Sequence, residues 1–222
     1  LLRQAVQAGW SVDEVMFDHA APAAIVDEVG ALAPRASSHR LAEGVMARVA
    51  TLDTAPSVVA VVAMRPQSIP ATADFLLVAD QLADPGNLGT IARSAEAAGA
   101  SAVALTPGSV DPWNPKALRA AAGSSLRLPV VVAELAQLGS DGWWLLGTSS
   151  HRGRPYTEVD LRGGEQGRRV AIVVGNEAHG LADDAPVHEW ITIPHVGTTE
   201  SINVAMAATV IAFEVARQRR RS

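Results

Sequence analysis

The chain has 222 residues, 48% of them hydrophobic, with a formal net charge of −5 and no cysteine. That size fits one large domain, or an ordinary domain with a small companion. The composition excludes disulfides, thiolate metal sites and a cysteine nucleophile, and the acidic balance argues against a protein that coats nucleic acid non-specifically. No run approaches the ~18 uninterrupted apolar residues of a membrane span and no charged-then-apolar leader opens the chain, so the expectation is a soluble, cytoplasmic protein without membrane partners. The sequence begins at Leu1 rather than Met, and its natural start is read as missing.

Residues 1–65 read as a small α/β unit. A helix is expected from Leu1 to Gly9, a strand from Val12 to Phe17 and a second helix from Ala21 to Val29. Ser38 offers an N-cap for a helix over His39–Val49, and Val58–Ala63 reads as a buried strand. His19 and His39 fall near loop or cap positions and are assigned to the surface. Met64–Asp74 carries Pro66 and Pro70 among small polar residues and lacks periodicity. It reads as a linker, with 66–73 at its centre and a second domain over 74–222.

From Phe75 onward strands alternate with helices. Strands are expected at Phe75–Ala79 (buried on both faces), Ser101–Leu105, Leu128–Val132, Trp143–Leu146, Val170–Val174 and Ile191–Ile193. Helices are expected from about Asn87 to Ala98 with closure at Gly99, over Pro115–Ala122, around Leu135 and over Ile202–Arg217. Such alternation gives a largely parallel sheet covered on both faces.

Ligands of open parallel sheets gather at the carboxyl ends of strands. Three loops with unusual composition occupy such ends: Asp84–Arg93, Gly175–Leu181, and the corner Ile193–Asn203, where a strand breaks at Pro194 and a long helix follows. None carries the Gly-x-Gly-x-x-Gly fingerprint of a dinucleotide site or a lysine-bearing phosphate loop, which weakens the reading as a nucleotide-dependent oxidoreductase. A Gly-x-Ser-x-Gly elbow and a metal-type histidine pair at helical spacing are also missing. Arg93, in a helix of small residues, is either a lateral surface charge or a group pointing over the strand ends. Glu177, between Gly175 and Gly180, is either a turn residue or a site residue.

Taken together the three loops resemble the motifs of the SpoU/TrmH family of RNA ribose 2′-O-methyltransferases, in the SPOUT superfamily. The first motif is matched by Asn87, Gly89, Arg93 and the small-residue helix ending at Gly99. The second is matched by Gly175-Asn176-Glu177-Ala178-His179-Gly180 after an apolar strand. The third is matched by Ile193-Pro194, a glycine loop, and Ser201-Ile202-Asn203-Val204, with isoleucine at position 202 where the family has leucine. The match spans residues 75–218.

The resemblance implies an S-adenosyl-L-methionine-dependent methyltransferase acting on a ribose 2′-hydroxyl of rRNA or tRNA. It also implies a SPOUT-type sheet with a C-terminal deep trefoil knot, a homodimer, and a cofactor held bent within the knot. Residues 1–65 resemble, less specifically, a ribosomal-protein-like RNA-binding domain. Residue by residue, Gly175, Ile193 and Ile202 take cofactor-contacting positions, and Arg93 takes the position of the arginine that activates the 2′-hydroxyl. Asn87, Glu177, Ser201 and Asn203 take the remaining polar positions of the catalytic site; no metal is implied. Arg93 could accept a proton or stabilise a developing alkoxide. A guanidinium holds its proton tightly, so the second is the more economical role. RNA contact would fall to the front domain and to the arginine clusters Arg152, Arg154, Arg162, Arg168, Arg169 and Arg217, Arg219, Arg220, Arg221. His179 could touch RNA or fill its turn. A competing reading is an RNA-binding module that kept the fold and lost activity.

Overall fold

The computed structural model describes residues 1–50, 54–162 and 167–220. The chain divides into two compact units, Leu1–Pro66 and Gln67–Ser222.

In the first unit α1 (Leu2–Gln7), β1 (Val12–Phe17), α2 (Ala23–Leu32), β2 (Ser37–Arg40), α3 (Val45–Val49) and β3 (Val58–Val62) follow one another. The sheet order is β2-β1-β3, with β2 parallel and β3 antiparallel to the central strand. Val15, Phe17, Ala21 and Val29 form its core. Two expectations fail here. Residues 37–40 are a strand rather than the start of a helix, and the helix is confined to Val45–Val49, entered through Gly44 at φ +74°. The backbone groups of β1 on that side find partners only if 37–40 runs beside them, and this outweighs the local capping signal at Ser38. All four β2 residues are exposed, so no apolar pattern marks the strand. The strand β3 is an edge, half-buried rather than buried, and Val61 is exposed.

The second unit runs β4 (Phe75–Ala79), α4 (Pro85–Ala98), β5 (Ala102–Leu105), α5 (Pro115–Ala120), α6 (Ser124–Arg127), β6 (Val130–Val132), α7 (Leu135–Ser140), β7 (Trp143–Thr148), β8 (Arg154–Pro155), a 3-10 turn (Tyr156–Glu158), β9 (Arg169–Val174), β10 (Glu189–Thr192) and α8 (Val204–Arg219). Among the described residues its strands form one seven-stranded sheet in the order β6-β5-β4-β9-β7-β10-β8, and every neighbouring pair is parallel. The two-residue β8 and the one-turn α6 escape sequence patterning because each is too short to show a period.

Strand β4 is buried along its whole length, as its composition requires. Phe75, Leu77 and Ala79 pack with Ile91, Ala95, Ala208 and Ile211 of α4 and α8 on one face. Leu76 and Val78 pack with Leu135 and Leu138 of α7 on the other. Helix α4 begins two residues earlier than expected, with Pro85 in its first turn and the Asp84 carboxylate accepting the Asn87 N–H at 2.9 Å. An Asp-Pro pair is a strong start signal because proline supplies a helical φ where its missing N–H is not needed. Gly99 closes the helix at φ +80°. Ser94 and Thr209 share a hydrogen bond of 2.7 Å that pins α4 to α8. Among the described residues no helix is long and apolar enough to cross a membrane.

Candidate active site

The strands β4, β9, β7 and β10 are neighbours in that order, and being parallel they deliver their carboxyl ends, with the loops that follow, to one edge of the sheet. The loop after β9 closes on itself. Asn176 and Gly180 exchange two backbone hydrogen bonds, of 3.1 and 2.9 Å, and the Asn176 Oδ1 accepts the N–H groups of Ala178 and His179. The Asn176 amide also donates to the carbonyl of Gln81 at 2.8 Å, across from β4. Gly180 sits at φ +68°, a conformation that favours glycine.

This closed turn projects Glu177 at the start of α4. Its carboxylate accepts hydrogen bonds from the backbone of Ala83 (3.0 Å) and Asp84 (2.9 Å) and from the Asn87 side-chain amide (3.0 Å). Asn87 in turn accepts the Asn203 side-chain amide at 3.1 Å. The Asn203 Oδ1 caps α8 by accepting the Ala205 and Met206 N–H groups. Glu177, Asn87 and Asn203, one from each loop, therefore form a single chain of hydrogen bonds. Their side chains hold the loops in mutual register.

Partial burial pushes the Glu177 carboxyl up. The Asn87 amide and the Ala83 and Asp84 N–H groups together outweigh this and hold it below its ordinary value of 4.5. A carboxylate with a lowered folded-state pKa contributes its stability in full above the unfolded value and loses it as pH falls through the folded one. Glu177→Gln, which cannot accept three donors equally well, is expected to cost about 1 kcal/mol at neutral pH. In urea titrations the gap between wild type and variant should close as the pH is lowered below 4.5. A gap independent of pH would show that the charge plays no part.

A cavity of about 540 Å³ opens at this edge. Gly175, Glu177, Ile193, Ser201, Ile202 and Asn203 line it, while Asn87 stands behind Glu177 and Asn203, and Arg93 does not line it. Arg93 is exposed on α4, with no hydrogen bond or ion pair to any described residue. Ile202, expected as the first residue of the last helix, lies with Ser201 in the loop before α8, which starts at Val204. The need for glycine at position 175 is backbone packing: a Cβ there would sit 2.2 Å from the Gly180 carbonyl carbon and 2.3 Å from the Leu181 nitrogen.

Sequence reasoning missed His151 and His195, which also line the cavity, and assigned Arg152, which lines it too, to RNA contact. The signal for His195 was its place directly after Ile193-Pro194 at a strand end. Arg152 stacks on the Trp190 ring at 3.7 Å and pairs with Asp183 at 2.9 Å. Most of the expected arginine clusters are also engaged within the chain. Arg154 pairs with Glu189, Arg162 with Asp160, Arg217 with Glu214 and Arg219 with Asp74. Arg168 and Arg169 lie over Trp144 and Trp143. Arg221 lies outside the described residues. His179 is exposed at the cavity rim. Among the described residues no group of His, Asp and Glu could hold a metal ion.

A wholly parallel, helix-covered sheet with its cavity at the carboxyl ends of neighbouring strands defines an open α/β protein with a candidate ligand site at that edge. Residues 74–213 match the model of the SpoU rRNA methylase family, and the chain belongs to that family. It is 37% identical over 185 residues to the 23S rRNA (guanosine(2553)-2′-O)-methyltransferase RlmP of Bacillus subtilis, a match covering 80% of this chain and 71% of that one. It is 38% identical over 152 residues to the 23S rRNA (guanosine-2′-O-)-methyltransferase RlmB of Xanthomonas axonopodis pv. citri, covering 65% of this chain and 59% of that one. Among solved structures it resembles the SpoU methyltransferase AviRb from Streptomyces viridochromogenes in complex with the cofactor AdoMet. There the TM-score is 0.81 with 28% identity, over 99% of this chain and 87% of that one.

Proposed function

We propose that this protein is an S-adenosylmethionine-dependent methyltransferase that modifies a ribose 2′-hydroxyl of rRNA or tRNA. The observation that carries this reading is the convergence of three loops from separate strand ends on one cavity, held in register by the Glu177–Asn87–Asn203 hydrogen bonds. The cavity suits the cofactor chemically. Val174, Leu181, Ile193 and Ile202 offer apolar walls for a purine, and polar groups at the rim face the rest. Gly175, Ile193 and Ile202 would hold the cofactor.

Bound S-adenosylmethionine supplies a methyl group that is already electrophilic. The protein's task is then to hold the acceptor oxygen in line and manage the loss of its proton. Glu177, Asn87 and Asn203 position the loops. Ser201 lies at the cavity wall, where its hydroxyl can orient a ligand. Arg93, charged and without an internal partner among the described residues, is placed in the role of stabilising the alkoxide that develops on the ribose.

The finer architecture is part of the same proposal. Residues 1–65 form an RNA-binding domain in front of the catalytic domain. The segment after β9 threads an earlier loop in a deep trefoil knot around the cofactor. Two copies associate through α8, a reading supported by Met206, Val210 and Phe213, which are exposed at helical spacing on that helix; a monomer in sedimentation equilibrium would overturn it. The absence of cysteine fits a cytoplasmic setting.

Labelled S-adenosylmethionine and rRNA or tRNA from a strain lacking the gene provide the test. Label is expected on ribose, recovered as an alkali-resistant dinucleotide. RNA binding without label transfer would instead favour the inactive binding module.

A further inference from the structure

His195 follows Pro194 in the third loop, and its Nε2 is buried without a hydrogen-bond partner among the described residues. Nearly all buried polar atoms in folded proteins are paired, because an unpaired one forfeits its hydration without return. The histidine also has a particular address. It lies in the wall shared by the main cavity and a smaller one of about 380 Å³ beside it.

The two cavities differ in chemistry. The larger carries the apolar walls at Val174, Leu181, Ile202 and Ile211. The smaller lacks these walls and is lined by Thr199 together with Arg152, His195 and Glu200, which it shares with the larger, so it offers charges of both signs. Its cation is fixed in place, since Arg152 lies over Trp190 at 3.7 Å. The Asp183 carboxylate that pairs with Arg152 is 96% exposed, so solvent screens it and leaves Arg152 with much of its field. S-adenosylmethionine is likewise two-sided, with a flat purine nucleoside at one end and an amino acid bearing a carboxylate and an ammonium at the other.

Resting on the cofactor reading above, we propose that the smaller cavity receives the amino-acid end and that His195 is its positioning residue. The Nε2–H donates to the carboxylate, Arg152 adds positive charge beside it, and Glu200 faces the ammonium. The buried nitrogen then gains in the complex the partner it lacks in the free protein.

The proposal has a signature that a merely structural histidine would not give. His195→Leu removes the unpaired buried atom, so the ligand-free protein should unfold at an unchanged temperature or at one higher by ~2–4 °C. Calorimetric affinity of the full chain for S-adenosylhomocysteine should nevertheless fall about tenfold, the equivalent of one hydrogen bond to a charged group. Affinity for 5′-methylthioadenosine, which lacks the amino-acid end, should stay within about twofold. His195→Gln, whose amide nitrogen reaches a similar position, should recover most of the loss.

Undiminished affinity for S-adenosylhomocysteine in His195→Leu would overturn the proposal. So would an equal loss for both ligands, which would place the contact on the nucleoside, and so would a lowered unfolding temperature accompanying the loss. If wild type binds neither ligand, the cofactor reading itself fails and this inference fails with it.

Discussion

Arg93→Ala is expected to lower the single-turnover rate of methyl transfer by ~10²–10³-fold, the usual consequence of removing a preorganised group aimed at developing negative charge. Cofactor affinity should stay within about twofold, because Arg93 does not line the cavity. The expected split follows from where the residue stands. It projects from α4, which is anchored to α8 by the Ser94–Thr209 hydrogen bond and capped by Asp84. Its guanidinium makes no ion pair with a described residue, so its charge is available to a ligand. Arg93→Lys separates charge from shape: a point charge on a flexible stem should recover part of the rate if field alone matters, and little if the planar fork is required. An unchanged rate in Arg93→Ala would remove this residue from the mechanism, and a parallel loss of cofactor binding would make it part of the pocket.

Gly175→Ala is expected to lower cofactor affinity by ~10²-fold or more and to destabilise the second unit by about 2–3 kcal/mol. The added methyl would meet the Gly180 carbonyl carbon and the Leu181 nitrogen at 2.2 and 2.3 Å. Both are backbone atoms, so no side chain can swing aside to make room. The turn must open, which breaks the two Asn176–Gly180 hydrogen bonds and withdraws Glu177 from Ala83, Asp84 and Asn87. One methyl group thus acts on the loops of two motifs at once. Gly30→Ala is the control. Nothing lies within 4 Å of a Cβ there, and alanine in helix α2 should be neutral or stabilising by up to ~1 kcal/mol. Urea titrations and calorimetry check both variants. A Gly175→Ala protein with wild-type affinity would mean that the turn is not needed to build the pocket.

The sequence carried the second unit further than the first. Phe75–Ala79 and Val170–Val174 are continuous apolar runs because both of their faces are covered, and burial leaves its mark in composition. Asn203 is readable as a helix start, and Gly99 as a helix end, because capping acts within a few residues. Residues 37–40 show the opposite case. They form a strand only because β1 lies beside them, and four exposed residues leave no pattern to read.

For the site, sequence alone determined which residues are present at the strand ends: Asn87, Arg93, Gly175, Glu177, Ile193, Ser201, Ile202 and Asn203 stand in three motifs that together point to one family. Only the tertiary structure decided what they do to one another. Glu177 meets Asn87 across 90 residues of chain, and Asn203 meets Asn87 across 116. It also set most of the clustered arginines, still largely exposed, against carboxylates and tryptophans, and left one nitrogen of His195 buried without a partner among the described residues. Local propensity acts through steric and hydrogen-bonding effects that reach about one helical turn. Hydrogen bonds between distant loops, and the desolvation of one imidazole atom, exist only once strand order has brought the loops to the same edge of the sheet.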